Sequence, residues 1–102
     1  MTSVSTHVLD TTTGKPATGV RVRLETQRDG RVIASAKTDA DGRIKELGRD
    51  LEPGTYRIVF ETREYAKDAF FAQVTLDVEL GEGHTHVPLL LSRYGITSYR
   101  GS

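Results

Sequence analysis

The sequence predicts an all-β fold: a two-sheet antiparallel sandwich with Greek-key connections and one short helix. Apolar and polar residues alternate with period two in several segments, as in strands that bury one face. Turn-forming residues separate those segments at the short spacing typical of sandwiches. The chain has 102 residues, enough for one domain (1–102) built on one core.

The elements follow in order. A first strand leads into Thr13-Gly14-Lys15-Pro16, a turn by composition. Val20, Val22 and Leu24 then alternate with Arg21, Arg23 and Glu25, and Arg28-Asp29-Gly30 reads as a hairpin turn. Asp39-Ala40-Asp41-Gly42 and Glu52-Pro53-Gly54 punctuate the middle of the chain. Tyr56, Ile58 and Phe60 form the next apolar face, and Glu61 to Ala69, with good helix formers and no Gly or Pro, is the helix candidate. The longest alternation runs Phe70, Ala72, Val74, Leu76, Val78, Leu80. After Gly81-Glu82-Gly83, a last stripe of Val87, Leu89 and Leu91 faces away from His84, His86, Pro88 and Leu90. Pro88 has no N–H to give to a ladder, so the 84–91 strand is expected at a sheet edge or bulged near the histidines. Residues 93–99 are again strand-compatible.

Composition narrows the function classes. Fourteen basic residues balance fourteen acidic ones, without the basic excess of a nucleic-acid binder, so no nucleic-acid partner is expected. There is no cysteine, which removes disulfides and thiol catalysis. No run approaches the roughly 20 apolar residues of a membrane helix, and Met1 to His7 has neither a basic nor an apolar leader region. The expectation is a cytoplasmic protein without a membrane partner. A domain this small has little material to wall off a private pocket, so a site shared between subunits is expected.

Three histidines, His7, His84 and His86, are the candidate acid–base groups, since imidazole titrates nearest neutrality. His84 and His86 are two apart on one strand face. They could be exposed strand residues without chemistry, or two of the four ligands of a zinc ion. With no cysteine and no tight acidic pair beside them, neither a metal nor another cofactor is expected. Arg43 follows the Asp41-Gly42 turn and offers a fork of donors to a carbonyl or carboxylate, or is a solvated charge. Tyr99-Arg100-Gly101-Ser102 places a phenol, a guanidinium and a hydroxyl close together, although Gly-Ser endings also occur as tag remnants.

Three segments in order, spanning nearly the whole chain, resemble the transthyretin-like 5-hydroxyisourate hydrolases. They are Thr6-His7-Val8-Leu9-Asp10 with Gly14-Lys15-Pro16-Ala17, then Thr38-Asp39-Ala40-Asp41-Gly42-Arg43, then His84-Thr85-His86-Val87-Pro88-Leu89-Leu90-Leu91-Ser92 through Tyr99-Arg100-Gly101-Ser102. The resemblance implies a transthyretin-like sandwich assembled as a homotetramer with sites at the dimer–dimer interface. It implies a substrate, 5-hydroxyisourate, whose six-membered ring is opened in urate degradation. The implied catalytic set is His7, Arg43, His86 and Ser102, with His84, Tyr99 and Arg100 binding substrate. Ser102 would act through its hydroxyl or a terminal carboxylate, so that a C-terminal extension would impair catalysis more than folding. Thr85 and Ile96-Thr97-Ser98 depart from the family pattern, which bears on pocket walls more than on reaction class.

Three rival readings remain at this level, a metal-dependent hydrolase being the most distant. Gly19 to Leu24, Thr38 to Arg43 and Pro53 to Tyr56 also resemble repeat-type adhesin and carboxypeptidase-regulatory modules, which leave the histidines unexplained. A transthyretin-like carrier would bind a small ligand without turning it over.

Overall fold

The computed structural model describes residues 1–102 as ten strands and one helical turn. They are β1 (Thr2–Asp10), β2 (Lys15–Pro16), β3 (Arg21–Thr26), β4 (Val32–Lys37), β5 (Arg43–Leu51), β6 (Gly54–Phe60), α1 (Thr62–Tyr65), β7 (Val74–Leu80), β8 (Gly83–His86), β9 (Leu89–Leu91) and β10 (Ile96–Ser98). One sheet runs β4-β3-β6-β7, and the other runs β10-β9-β1-β2 with β5 and β8 also paired to β1. Val4 and Val8 from β1, Val22 and Leu24 from β3, Ile58 and Phe60 from β6, and Leu89 from β9 are fully buried between them. Burying each such side chain is worth about 1.5–3 kcal/mol, so the alternation that predicted the strands also holds the sheets together. The helix is far too short and polar to cross a membrane.

The sheet that contains β1 is mixed rather than purely antiparallel. β1 pairs antiparallel with β2 and β5 but parallel with β8 and β9. The chain builds the whole β4-β3-β6-β7 sheet between β1 and β8, and it returns in the direction in which it left.

Three expectations need correction. The helix is one turn, not Glu61 to Ala69, because the segment after it folds back and takes its polar groups. Arg63 N–H donates to the Ala72 carbonyl at 3.1 Å, and the Thr62 hydroxyl donates to the Phe71 carbonyl. A helix this short has little stability of its own, so tertiary hydrogen bonds decide. The same bonds delay the next strand, which begins at Val74 rather than Phe70 and leaves Phe70 65% exposed. Finally, the 84–91 strand is interrupted at Val87-Pro88 rather than bulged, and only its β8 half, which carries the histidines and pairs with β1 alone apart from the His86–Gly101 bridge, lies at an edge. β8 and β9 keep one register against β1, and β9 lies between β1 and β10. The Val87 N–H to Ser5 carbonyl bond and the Thr6 hydroxyl to Val87 carbonyl bond carry the pairing across the gap.

Pro88 acts on the other side. Its carbonyl accepts from the Ser98 hydroxyl at 2.8 Å, so it faces β10 and the segment after it. That segment rejoins at Gly101, whose N–H donates to the His86 carbonyl at 2.7 Å in step with the β9–β10 register. Pro88 has no N–H to hold Tyr99 opposite it, and Tyr99 stands 57% exposed.

Candidate active site

Along β1, Val4, Thr6 and Val8 point into the sandwich, so Ser3, Ser5 and His7 point outward. The parallel register sets Ser3 beside His84 and Ser5 beside His86, and the antiparallel register sets His7 beside Arg43. Paired residues share a face. The two registers therefore gather Ser3, Ser5, His7, Arg43, His84 and His86 on one outer surface, from segments distant in sequence.

The turn before β5 positions two of them. Asp39 accepts the N–H groups of Asp41 at 2.9 Å and Arg43 at 3.0 Å through its carboxylate. The Arg43 bond, followed by the Asp41 bond, holds that carboxyl below the usual range for aspartate. Gly42 has φ +76° and lies so close to β1 that a Cβ there would run into the Val8 carbonyl oxygen. The turn thus starts β5 at Arg43, opposite His7. It also presents the Asp41 carbonyl, 2.9 Å from His7 Nε2. A carbonyl only accepts, so Nε2 carries the proton, and neutral His7 offers its lone pair at Nδ1.

Serine hydroxyls hold the other imidazoles. Ser3 Oγ lies 2.7 Å from His84 Nδ1, His84 Nε2 lies 2.8 Å from Ser5 Oγ, and Ser5 Oγ lies 2.7 Å from His86 Nδ1. Burial holds His86 below the ordinary histidine pKa, and the positive fields of Arg43, His7 and His84 push in the same direction. His86 is thereby neutral at neutral pH, as a general base must be. Behind it, the Gly101 backbone packs so closely that a Cβ would sit 3.0 Å from His86 Cδ2.

No three His, Cys, Asp or Glu side chains are grouped so that they could hold a metal ion, and both His84 nitrogens and His86 Nδ1 are engaged by serines. The arrangement can supply neutral imidazole bases and a guanidinium donor.

Of the residues singled out from sequence, His7, Arg43, His84 and His86 come together here. Ser102 is exposed and follows Gly101, whose backbone pairs with His86. Tyr99 and Arg100 line a groove of about 460 Å³ with β7, Val87, Ser98 and Thr85, the residue that alternates between the two histidines. Ser3 and Ser5 were not singled out. The Ser-x-Ser-x-His spacing of β1 was the available signal, but it meant nothing until the partner strand was known. The Asp41 carbonyl is a backbone group that no residue type reveals.

The family model described as HIUase/Transthyretin family matches residues 4–101. A 5-hydroxyisourate hydrolase of Salmonella typhimurium is 43% identical, over 97% of this chain and 80% of its own length. The Klebsiella pneumoniae 5-hydroxyisourate hydrolase structure superposes with a TM-score of 0.93 at 36% identity, covering 100% of both chains. Sea bream transthyretin, solved in complex with thyroxine, superposes with a TM-score of 0.88 at 28% identity, over 96% of this chain and 93% of that one. In sequence along nearly its full length, and in fold, this chain belongs to the HIUase/Transthyretin family.

Proposed function

We propose that this chain hydrolyses 5-hydroxyisourate, opening its six-membered ring in urate degradation. The observation that carries the reading is the convergence of His7, His86 and Arg43 on one sheet face, with the His7 proton fixed by the Asp41 carbonyl and His86 held neutral. The hydrolases named above, similar over most of their length, support the same choice.

In this mechanism the two imidazoles orient a water molecule and take its proton. The water oxygen bonds to the ring carbonyl carbon, and the carbonyl electron pair moves onto oxygen, where the Arg43 guanidinium stabilises it. The oxyanion then re-forms the carbonyl as the C–N bond breaks, the bond's electron pair passes to nitrogen, and an imidazole returns the proton there. The products are a carboxylic acid and an N–H, and the acid releases the second proton of the water to solvent. Ser102 hydrogen-bonds the substrate or the water, and His84, Tyr99 and Arg100 shape the site. The catalytic surface is the outer face of a sheet with Arg43 exposed, so we further propose a homotetramer in which neighbouring copies close the sites at the dimer–dimer interface.

The direct test generates 5-hydroxyisourate with urate oxidase and follows its ultraviolet absorbance. Decay should accelerate with this protein, and His86→Ala should lower the rate by about 100-fold or more while folding is retained. Near-normal turnover in that variant would remove His86 from the mechanism. A folded wild-type protein that binds the substrate stoichiometrically without turnover would favour a carrier.

A further inference from the structure

Ser5 is buried beneath two imidazoles, and its hydroxyl oxygen has two hydrogen-bond partners: His84 Nε2 at 2.8 Å and His86 Nδ1 at 2.7 Å. A hydroxyl has one proton to give. Between two neutral imidazoles it donates to one and accepts from the other, and this allows two settings. In the first, Ser5 donates to His86 Nδ1, His84 donates from Nε2 to Ser5, and Ser3 donates to His84 Nδ1. His86 then carries its proton at Nε2, ready to give. In the second, His86 donates from Nδ1 to Ser5, Ser5 donates to His84 Nε2, and His84 donates from Nδ1 to Ser3 Oγ. His86 then holds a lone pair at Nε2, ready to receive.

We infer that Ser5 is a positioning residue for His86, coupling its tautomer to that of His84 so that the two imidazoles switch together. The protons balance. Passing from the second setting to the first, His86 Nε2 gains a proton, each inner proton moves one bond along the chain, and Ser3 releases one at the solvent-facing end. The reverse passage returns a proton from Nε2 and takes one up at Ser3. His86 can therefore act as base and then as acid without keeping a net charge beside the Arg43 guanidinium. The titratable and charged groups that face it are Arg43 of β5, His7 of β1 and His84 of β8.

The inference rests on the hydrolase reading only in taking His86 as a reacting group; the hydrogen-bonded chain itself is independent of that reading. Two measurements separate them. In turnover assays, Ser5→Ala should lower kcat by about 10- to 100-fold, as loss of an orienting partner does, with KM within about twofold. The pH profile should change, and Ser5→Thr should restore both. In proteins labelled with ¹⁵N-histidine, His84→Gln should shift the His86 ring-nitrogen signals when Ser5 is present and leave them unmoved in the Ser5→Ala background. Equal His86 shifts in the two backgrounds would overturn the inference, as would Ser5→Ala with wild-type kcat and pH profile. If Ser5→Ala does not fold, His84→Gln decides: unshifted His86 signals in that exposed-site variant refute the coupling. A wild-type protein without turnover sinks the hydrolase reading while the nitrogen signals still test the serine link.

Discussion

His86 binds its proton more weakly than a free histidine, first because it is buried and then because Arg43, His7 and His84 surround it with positive field. The sign of the consequence follows from linkage. With the folded pKa depressed, the unfolded chain binds more protons below the ordinary histidine value of about 6.5, so stability is intact above that pH and falls as pH drops toward the folded pKa. The acid limb of kcat/KM should accordingly lie below about 6.5. An NMR titration should show the His86 midpoint rising in Arg43→Gln, where one source of positive field is gone; an unchanged midpoint would mean the field of Arg43 is screened. Gly101 offers a second handle on the same ring. Its Cα lies against His86, and a methyl there would press on Cδ2 at 3.0 Å and on the carbonyl oxygen at 3.2 Å. Gly101→Ala should lower kcat several-fold with the far-ultraviolet spectrum unchanged.

Between residue and fold stands the turn from Asp39 to Arg43. Gly42 combines a positive φ with contact against the β1 backbone, which no side chain can relieve. Gly42→Ala should cost about 1–3 kcal/mol, read as a lower urea midpoint, and its residual folded fraction should lose turnover because Arg43 and His7 share this turn. Pro88 works in the opposite sense, keeping a ladder open. Pro88→Ala should restore an N–H facing Tyr99, and amide exchange should slow at residues 99–101 if the ladder closes. The strands themselves were legible in the sequence because Val22-x-Leu24 and Ile58-x-Phe60 report burial with period two, and burial is a local pattern. What Phe70 would face was not legible, since its strand was cancelled by hydrogen bonds from α1. The break at Pro88 was legible as a break but not as the place where Tyr99 departs. Its effect depends on which neighbour the missing N–H would have faced, and alternation does not name neighbours.

On the scale of the whole molecule the same limit governs the site. His7, Arg43 and His86 were legible as residue types suited to the chemistry, whereas Ser3 and Ser5 acquired a role only through pairing with a strand 81 residues away. The open outer face makes a further prediction. Light scattering should give a mass four times that of the chain, and dilution to monomers should lower activity more than it lowers β-sheet signal if neighbouring copies complete the sites.

The parallel alignment of β1 with β8 also sets an order of events in time. The strands of the β4-β3-β6-β7 sheet are joined by short and medium connections, but Ser5 meets His86 only after nearly the whole chain has been traversed. Contacts of such separation are the slow ones in folding. On refolding from urea, strand signal should therefore return before turnover does. A chain still emerging during synthesis would carry His7 and Arg43 for some time before the imidazole they serve arrives, and chemical competence would come with the final stretch to dock.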